Sequence, residues 1–217
     1  HAGLHQEVCK DVYRDRIQRG TGPDGFYSKR TLGAFGAELS AIACFFDAPW
    51  SKLSPKLSLE AQAWLLNEAA FDLCAVGRPQ EALEPTQAAL KIQIEDERWE
   101  EAAKVSGNLS ELALVLGEVA RAELYGEDGT RYAERCGGEG MRSFSRATHA
   151  IALYQHGAPE KAEELFAQAE AMLSDWSTQC PLLYSYWGFR YCDLLLSKPE
   201  CAAWRRSVIS LAVGDEE

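Results

Sequence analysis

Counting by forties from Gly77 reaches Gly117, Gly157 and then Ser197. Five residues past each of these stand Ala82, Ala122, Ala162 and Ala202, and two residues past them stand Pro79, Val119, Pro159 and Pro199. A fixed period of this length marks a repeat array, in which each unit buries its apolar face only by stacking on its neighbours. The chain is therefore expected to be a stack of helix pairs, with its function in a binding surface rather than a catalytic cleft.

The glycines organise each unit. Helices are predicted over Ala63 to Val76, Glu100 to Leu116 and Met141 to His156, each ended by a glycine in the left-handed conformation. Proline two positions later opens the next helix, where its missing N–H costs nothing. Second helices follow from Pro79 to Ile94, Val119 to Glu134, Pro159 to Asp175 and Pro199 to about Leu211. The alanine one turn into each allows a close approach of the two helices. Pro85 predicts a kink or a loosened first turn, and Gly126 with Gly129 predicts that the middle unit's second helix is the least regular.

Residues 1–57 are out of phase and read as a diverged helical pair capping the array, with four helix pairs filling residues 58–217. Within the cap, His5 to Arg19 reads as an amphipathic helix turning Val8, Val12, Tyr13 and Ile17 inward. Thr21 to Gly25 is a loop, and Thr31 to Phe46 reads as a second helix carrying Leu32, Phe35, Leu39, Ile42 and Phe46. Asp47 to Leu57 is a long connector, and Gly214 to Glu217 an acidic frayed end.

With 47% hydrophobic and 25% charged residues, the 217-residue chain can bury a core. Its net charge of −11 argues against nucleic acid and against an anionic membrane surface as partners. No apolar stretch approaches membrane-spanning length, no secretory signal is visible, and without an initiator Met the chain reads as part of a longer polypeptide. Seven cysteines (Cys9, Cys44, Cys74, Cys136, Cys180, Cys192, Cys201) form no Cys-x-x-Cys pair. That pattern fits reduced, buried thiols in the cytoplasm better than a disulfide framework.

The small-residue pattern resembles the tetratricopeptide repeat. It is carried by Ala70, Gly77, Ala82 and Ala89 in the first unit and by Ala150, Gly157, Ala162, Phe166 and Ala169 in the third. Ser110, Gly117 and Ala122 keep it in the second, and Ala202 in the fourth, at a period of forty rather than 34 residues. The resemblance covers Leu59 to Leu211 and implies an all-α, right-handed superhelix of antiparallel helix pairs, about ten helices in all. A narrower resemblance lies in Arg16-Ile17-Gln18-Arg19-Gly20, Leu32-Gly33-Ala34-Phe35-Gly36 and Phe45-Phe46-Asp47-Ala48-Pro49-Trp50. Asn67-Glu68-Ala69, Asn108-Leu109-Ser110-Glu111 and Gly188-Phe189-Arg190-Tyr191-Cys192-Asp193 extend it. These runs look like the helical C-terminal sensor regions of large bacterial STAND/NACHT-type signalling ATPases, where repeats that sense a ligand follow a nucleotide-switched module.

No motif for catalysis stands out. The chain has no Gly-x-x-x-x-Gly-Lys-Ser/Thr loop, and its Gly126-Glu127-Asp128-Gly129 and Gly137-Gly138-Glu139-Gly140 runs are acidic and would repel a phosphate. His149 and His156 lie seven apart with no carboxylate or Cys completing a metal spacing, and His149 occupies a packing phase. No cofactor, metal or catalytic residue is expected.

The repeat resemblance instead implies a concave groove lined by the first helix of each unit. Carried over by phase, it takes Trp64, Asn67 and Phe71, then Lys104, Asn108 and Glu111. Phe144, Ala147 and Ile151 come from the third unit, and Tyr184, Trp187 and Tyr191 from the fourth. Aromatic groups dominate the energetics of many interfaces, although at helical spacing they also build cores. Asn67, Asn108 and Glu111 are more informative, because polar groups recurring on one face are either exposed for binding or bonded across units.

The reading is a non-catalytic module binding a protein or peptide, the sensing or regulatory part of a larger bacterial cytoplasmic protein, able to dock on other domains of its parent. One rival is a structural scaffold that only self-associates. The other is a small-molecule or enzymatic site at a Cys/His pocket, which a buried polar cavity containing His149 and a cysteine would favour.

Overall fold

The computed structural model describes residues 4–20, 22, 25–176 and 181–214; Cys180, most of the expected 21–25 loop and the acidic end beyond Gly214 lie outside them. The architecture is an all-α repeat stack, with one two-stranded hairpin in its N-terminal part. Six helices form three antiparallel pairs: α4 (Leu59–Ala75) with α5 (Pro79–Glu95), α6 (Trp99–Val115) with α7 (Val119–Cys136), and α8 (Glu139–Gln155) with α9 (Pro159–Trp176).

The turns follow the glycine reading. Gly77, Gly117 and Gly157 have φ of +79°, +76° and +87°, where only glycine rests without strain. Their N–H groups reach back to Cys74, Leu114 and Tyr154 and close the preceding helices. Ala82, Ala122 and Ala162 are fully buried, as a close crossing requires. Serines reinforce the crossings: Ser110 Oγ donates to the Ala122 carbonyl at 2.7 Å, and Ser143 Oγ to that of Ala169 at 2.8 Å.

Two expectations within the array need correction. First, α7 is not irregular but an unbroken helix of 18 residues, and its glycines are contact points. A Cβ on Gly126 would lie 2.9 Å from the His149 Cα, and one on Gly129 would lie 3.4 Å from the Ala103 carbonyl oxygen. Their missing side chains let α7 nest between α6 and α8. Pro85 lies inside α5, whose helical span continues on both sides of it. Second, no turn forms at Ser197. One helix, α10 (Ser185–Gly214), runs through with Pro199 inside it. The beat supplies serine where the other turns use a left-handed glycine, and the Ser197 hydroxyl donates to Leu194 within the continuing helix. Ala202 is accordingly exposed, unlike its three counterparts.

The N-terminal region departs further. α1 (His5–Glu7) continues directly into a π-helix, π1 (Val8–Ile17), whose wider turn is seen in the Gln18 N–H bonding the Tyr13 carbonyl five residues back. Its buried face is Cys9 and Tyr13, continued by Gln18, at spacings of four and five. Val8, Val12 and Ile17, expected inward from a 3.6-residue period, are exposed. The second expected helix is also shorter: a turn, α2 (Tyr27–Arg30), ends at left-handed Gly33, and α3 (Phe35–Ala43) follows. Leu32 is exposed, whereas Leu39 and Ile42 are buried. The connector folds into an antiparallel hairpin of β1 (Phe46–Ala48) and β2 (Lys52–Leu53).

The thiols differ as well. Cys9 is buried, Cys136 is half-buried, and Cys44, Cys74, Cys192 and Cys201 are exposed; all six are free. Apolar neighbours in sequence do not bury a helical residue, because adjacent side chains point to different faces. Among the described residues no helix is long and apolar enough to cross a membrane.

Candidate functional site

The first repeat is fixed to the N-terminal segment before any groove begins. Ser58 caps α4 by accepting the Ala61 N–H at 3.2 Å, and the Ser58 N–H itself donates to the Gln6 carboxamide oxygen at 2.9 Å. Behind that clasp lies a polar cluster that the sequence reading did not single out. Lys29 Nζ sits 2.6 Å from Glu68 and 2.8 Å from Asp72, all three nearly sealed from solvent. Gln18 Nε2 donates to Glu68 and to the Tyr13 hydroxyl, both at 3.0 Å, and the Tyr13 hydroxyl donates to Glu38 at 2.5 Å. Ser28 completes the cluster with a hydrogen bond to Glu38.

Glu68 and Asp72 thus share one ammonium, Glu38 is held by hydroxyl and amide donors, and the titrations respond. Burial pushes the Asp72 carboxyl up to about 6, against the opposing pull of Lys29. Burial and the hydrogen bond to Glu38 raise the Tyr13 phenol far above its ordinary range. Burial alone would lower Lys29, but Glu68 and Asp72 outweigh it and hold the ammonium charged. A legible signal existed: Glu68 and Asp72 share the α4 face of Leu65, Ala69 and Leu73, at core phase. Nothing in the sequence marks Lys29 as their partner, since it arrives from a segment thirty-nine residues earlier.

This weld holds π1 over the first helices of the array and opens a cleft of about 510 Å³ between them. Trp64, Asn67, Lys104 and Asn108 line it with Lys10 and Arg14 of π1 and Gln93 of α5. A second cleft of about 230 Å³, lined by Phe71, Cys74, Glu111, Leu112 and Val115, shares Asn67 and Asn108 with the first. Six residues assigned to the groove from sequence (Trp64, Asn67, Phe71, Lys104, Asn108 and Glu111) therefore line two neighbouring clefts. Asn108 Nδ2 donates to Asn67 Oδ1 at 3.1 Å, bridging successive units where the clefts meet. That bond uses one donor and one acceptor of the pair, leaving the other amide groups for a ligand. Burial raises the Glu111 carboxyl above its usual range, with Arg190 opposing.

The remaining predicted residues occupy other surroundings. Ile151 is only 2% exposed and Ala147 is fully buried; both belong to the core between α8 and α9 and leave the row. The phase that places Asn67 and Asn108 outward turns inward in α8, where α10 packs across the helix. Phe144 stacks on Trp187 at 4.7 Å, and the Trp187 indole N–H donates to Thr148 at 3.0 Å. Tyr191 stacks on fully buried Phe166 at 4.8 Å. Tyr184 is 51% exposed at the start of the α10 segment. His149 lines neither cleft, and burial lowers its imidazole despite Glu127 and Glu123 nearby. Among the described residues no group of three or more His, Cys, Asp or Glu is arranged to hold a metal ion.

No protein-family profile matches the chain, and no curated protein matches it in sequence. Its fold does have relatives among solved structures. BtubC (BKLC) from P. vanneervenii superposes with a TM-score of 0.60 at 18% identity, covering 87% of this chain and 78% of that one. A putative kinesin light chain from Podosopora anserina with nearly identical TPR-like repeats gives 0.55 at 20% identity, covering 86% and 87%. A variant of that protein gives 0.56 at 18%, covering 87% and 88%. At such identities the likeness speaks for the fold: this chain is a TPR-like helical solenoid.

Proposed function

We propose that the chain is a non-catalytic protein-interaction module whose α4–α6 face takes an extended peptide. The observation that carries this reading is the meeting of Asn67 and Asn108, from successive first helices, where two neighbouring clefts share both side chains as lining. Carboxamides in that place suit a main chain, which offers one donor and one acceptor per residue. The exposed ring of Phe71 supplies apolar surface beside them. The sequence runs resembling STAND/NACHT-type sensor regions support a regulatory role within a larger cytoplasmic bacterial protein, with docking on its other domains as a further use of the same repeats.

Selection from random dodecapeptides displayed on phage, with the 217-residue protein immobilised, tests the reading. Enriched peptides should lose binding when Asn67 and Asn108 are both replaced by Leu, and keep it when exposed Lys91 on α5 is replaced by Ala. No enrichment over the bare surface contradicts the proposal. A scaffold that self-associates is the second reading, supported by exposed Phe189 and Trp204 on α10. Sedimentation velocity across a concentration series decides it.

A further inference from the structure

The non-repeat helix π1 forms one wall of the larger cleft, and its charges differ from the rest of the protein. The chain carries a net charge of −11, yet Lys10, Arg14, Arg98 and Lys104 line this cleft against only Glu60 and Glu101. Arg98 is paired with Glu60 at 3.7 Å, and Lys104 with Glu100 and Glu101 at 2.8 and 3.0 Å. Among the described residues, Lys10 and Arg14, one turn apart on π1, have no carboxylate within 4.0 Å. Arg14 lies 5.9 Å from the centre of the Trp64 ring on the opposite wall.

A second observation comes from the α5 side. Gln93 lines the same cleft, is 6% exposed, and its Oε1 has no hydrogen-bond partner. A buried acceptor without a donor is costly, and a small turn of the carboxamide toward the cleft lets a ligand N–H satisfy it. Position is also fixed in advance, because the Gln6–Ser58 bond and the Gln18–Glu68 bond anchor both ends of the π1 region to the body. Two unpaired cations held over a cleft need no reordering to meet an anion.

We propose, resting on the peptide-face reading above, that this cleft selects acidic peptides. Carboxylate side chains of the peptide pair with Lys10 and Arg14, and a main-chain N–H donates to Gln93 Oε1. The peptide's apolar residues continue past Asn67 and Asn108 into the second cleft, against Phe71, Leu112 and Val115. A polyanion such as nucleic acid suits the site less well: two free cations neutralise two charges, while the acidic body repels the remainder. The N-terminal segment thereby becomes a specificity element, and the repeats supply the generic grip.

The phage selection reads this directly. Peptides enriched on the parent protein should carry an excess of Asp and Glu, and a resynthesised fluorescent peptide should bind at least about ten-fold more weakly to Lys10→Glu/Arg14→Glu, by anisotropy at fixed ionic strength. The variant Lys10→Arg/Arg14→Lys should keep the acidic preference. Circular dichroism establishes that each variant is folded, as both residues are exposed. Neutral or basic enriched sequences, or affinity unchanged by the charge reversal, overturn the acidic assignment and leave the peptide face standing. No enrichment at all removes both.

Discussion

Gly126 on α7 lies against the backbone of His149 on α8 so closely that a Cβ at residue 126 would stand 2.9 Å from the His149 Cα. The neighbour is main chain and cannot swing aside. Gly126→Ala should therefore destabilise the protein by about 1–3 kcal/mol through overpacking, although alanine is the better helix former. Gly107, in α6, makes the control: a Cβ there meets only the Thr148 Cγ2 at 3.9 Å, an ordinary contact. Gly107→Ala should raise stability by up to about 1 kcal/mol. Urea unfolding of the two variants must give opposite signs for this account to hold.

Lys29 is the only cation in the cluster of Glu38, Glu68 and Asp72. Lys29→Met keeps much of the volume and leaves buried carboxylates without a counter-charge. A loss of about 3–5 kcal/mol is expected. Loss below about 1 kcal/mol, measured by chemical denaturation at neutral pH, would show that water enters the cluster freely.

Asp72 gives a pH dependence of defined sign. Its folded-state pKa is raised from 3.8 to about 6, so the folded chain holds this proton more tightly than the unfolded chain. The stabilisation from that difference is complete below the unfolded value and is lost as pH rises through the folded one. Relative to Asp72→Asn, the parent protein should lose stability from roughly pH 4 to roughly pH 7. His149, whose lowered pKa acts in the opposite sense, is common to both proteins and cancels. Parallel stability profiles for the two would contradict the assignment.

Trp187 tests whether the α10 aromatics are packing groups. Its ring stacks on Phe144 and its N–H is bonded to Thr148. Trp187→Ala should cost about 3 kcal/mol or more, and Trp187→Phe, which keeps a ring and loses the hydrogen bond, about 1 kcal/mol. Thermal unfolding followed by circular dichroism measures both. An unchanged midpoint for the alanine variant would return this ring to the binding surface.

The repeat period made the three helix pairs legible because its signals are local: a glycine at positive φ and an alanine at a helix crossing each act on adjacent chain. The same signals failed where context decides. Gly126 reads as a helix breaker alone and becomes a contact once α8 is placed beside it. Pro199 reads as a helix start, yet without a glycine at residue 197 the chain keeps its helical course through it. The face of π1 was misassigned because a wider helical turn brings Cys9, Tyr13 and Gln18 together, and no composition rule announces that geometry. Asn67, Asn108 and Glu111, taken by phase, line a cleft, whereas Ile151 is buried because the packing of α10 changes which face of α8 is open. Lys10, Arg14 and Gln93 line the larger cleft from outside the first helices, where the repeat phase does not reach.

The cluster around Lys29 also bears on how the array comes apart. Solenoids fray from their ends, since each terminal unit is held by one neighbour only. Here the N-terminal end is tied through side chains of π1, α2, α3 and α4, and withdrawing any one element leaves buried charge or unbonded oxygens in the others. The four elements consequently open together or not at all. Opening of the array from this side is thus all-or-none, and the lock sits where the chain departs from its own repeat.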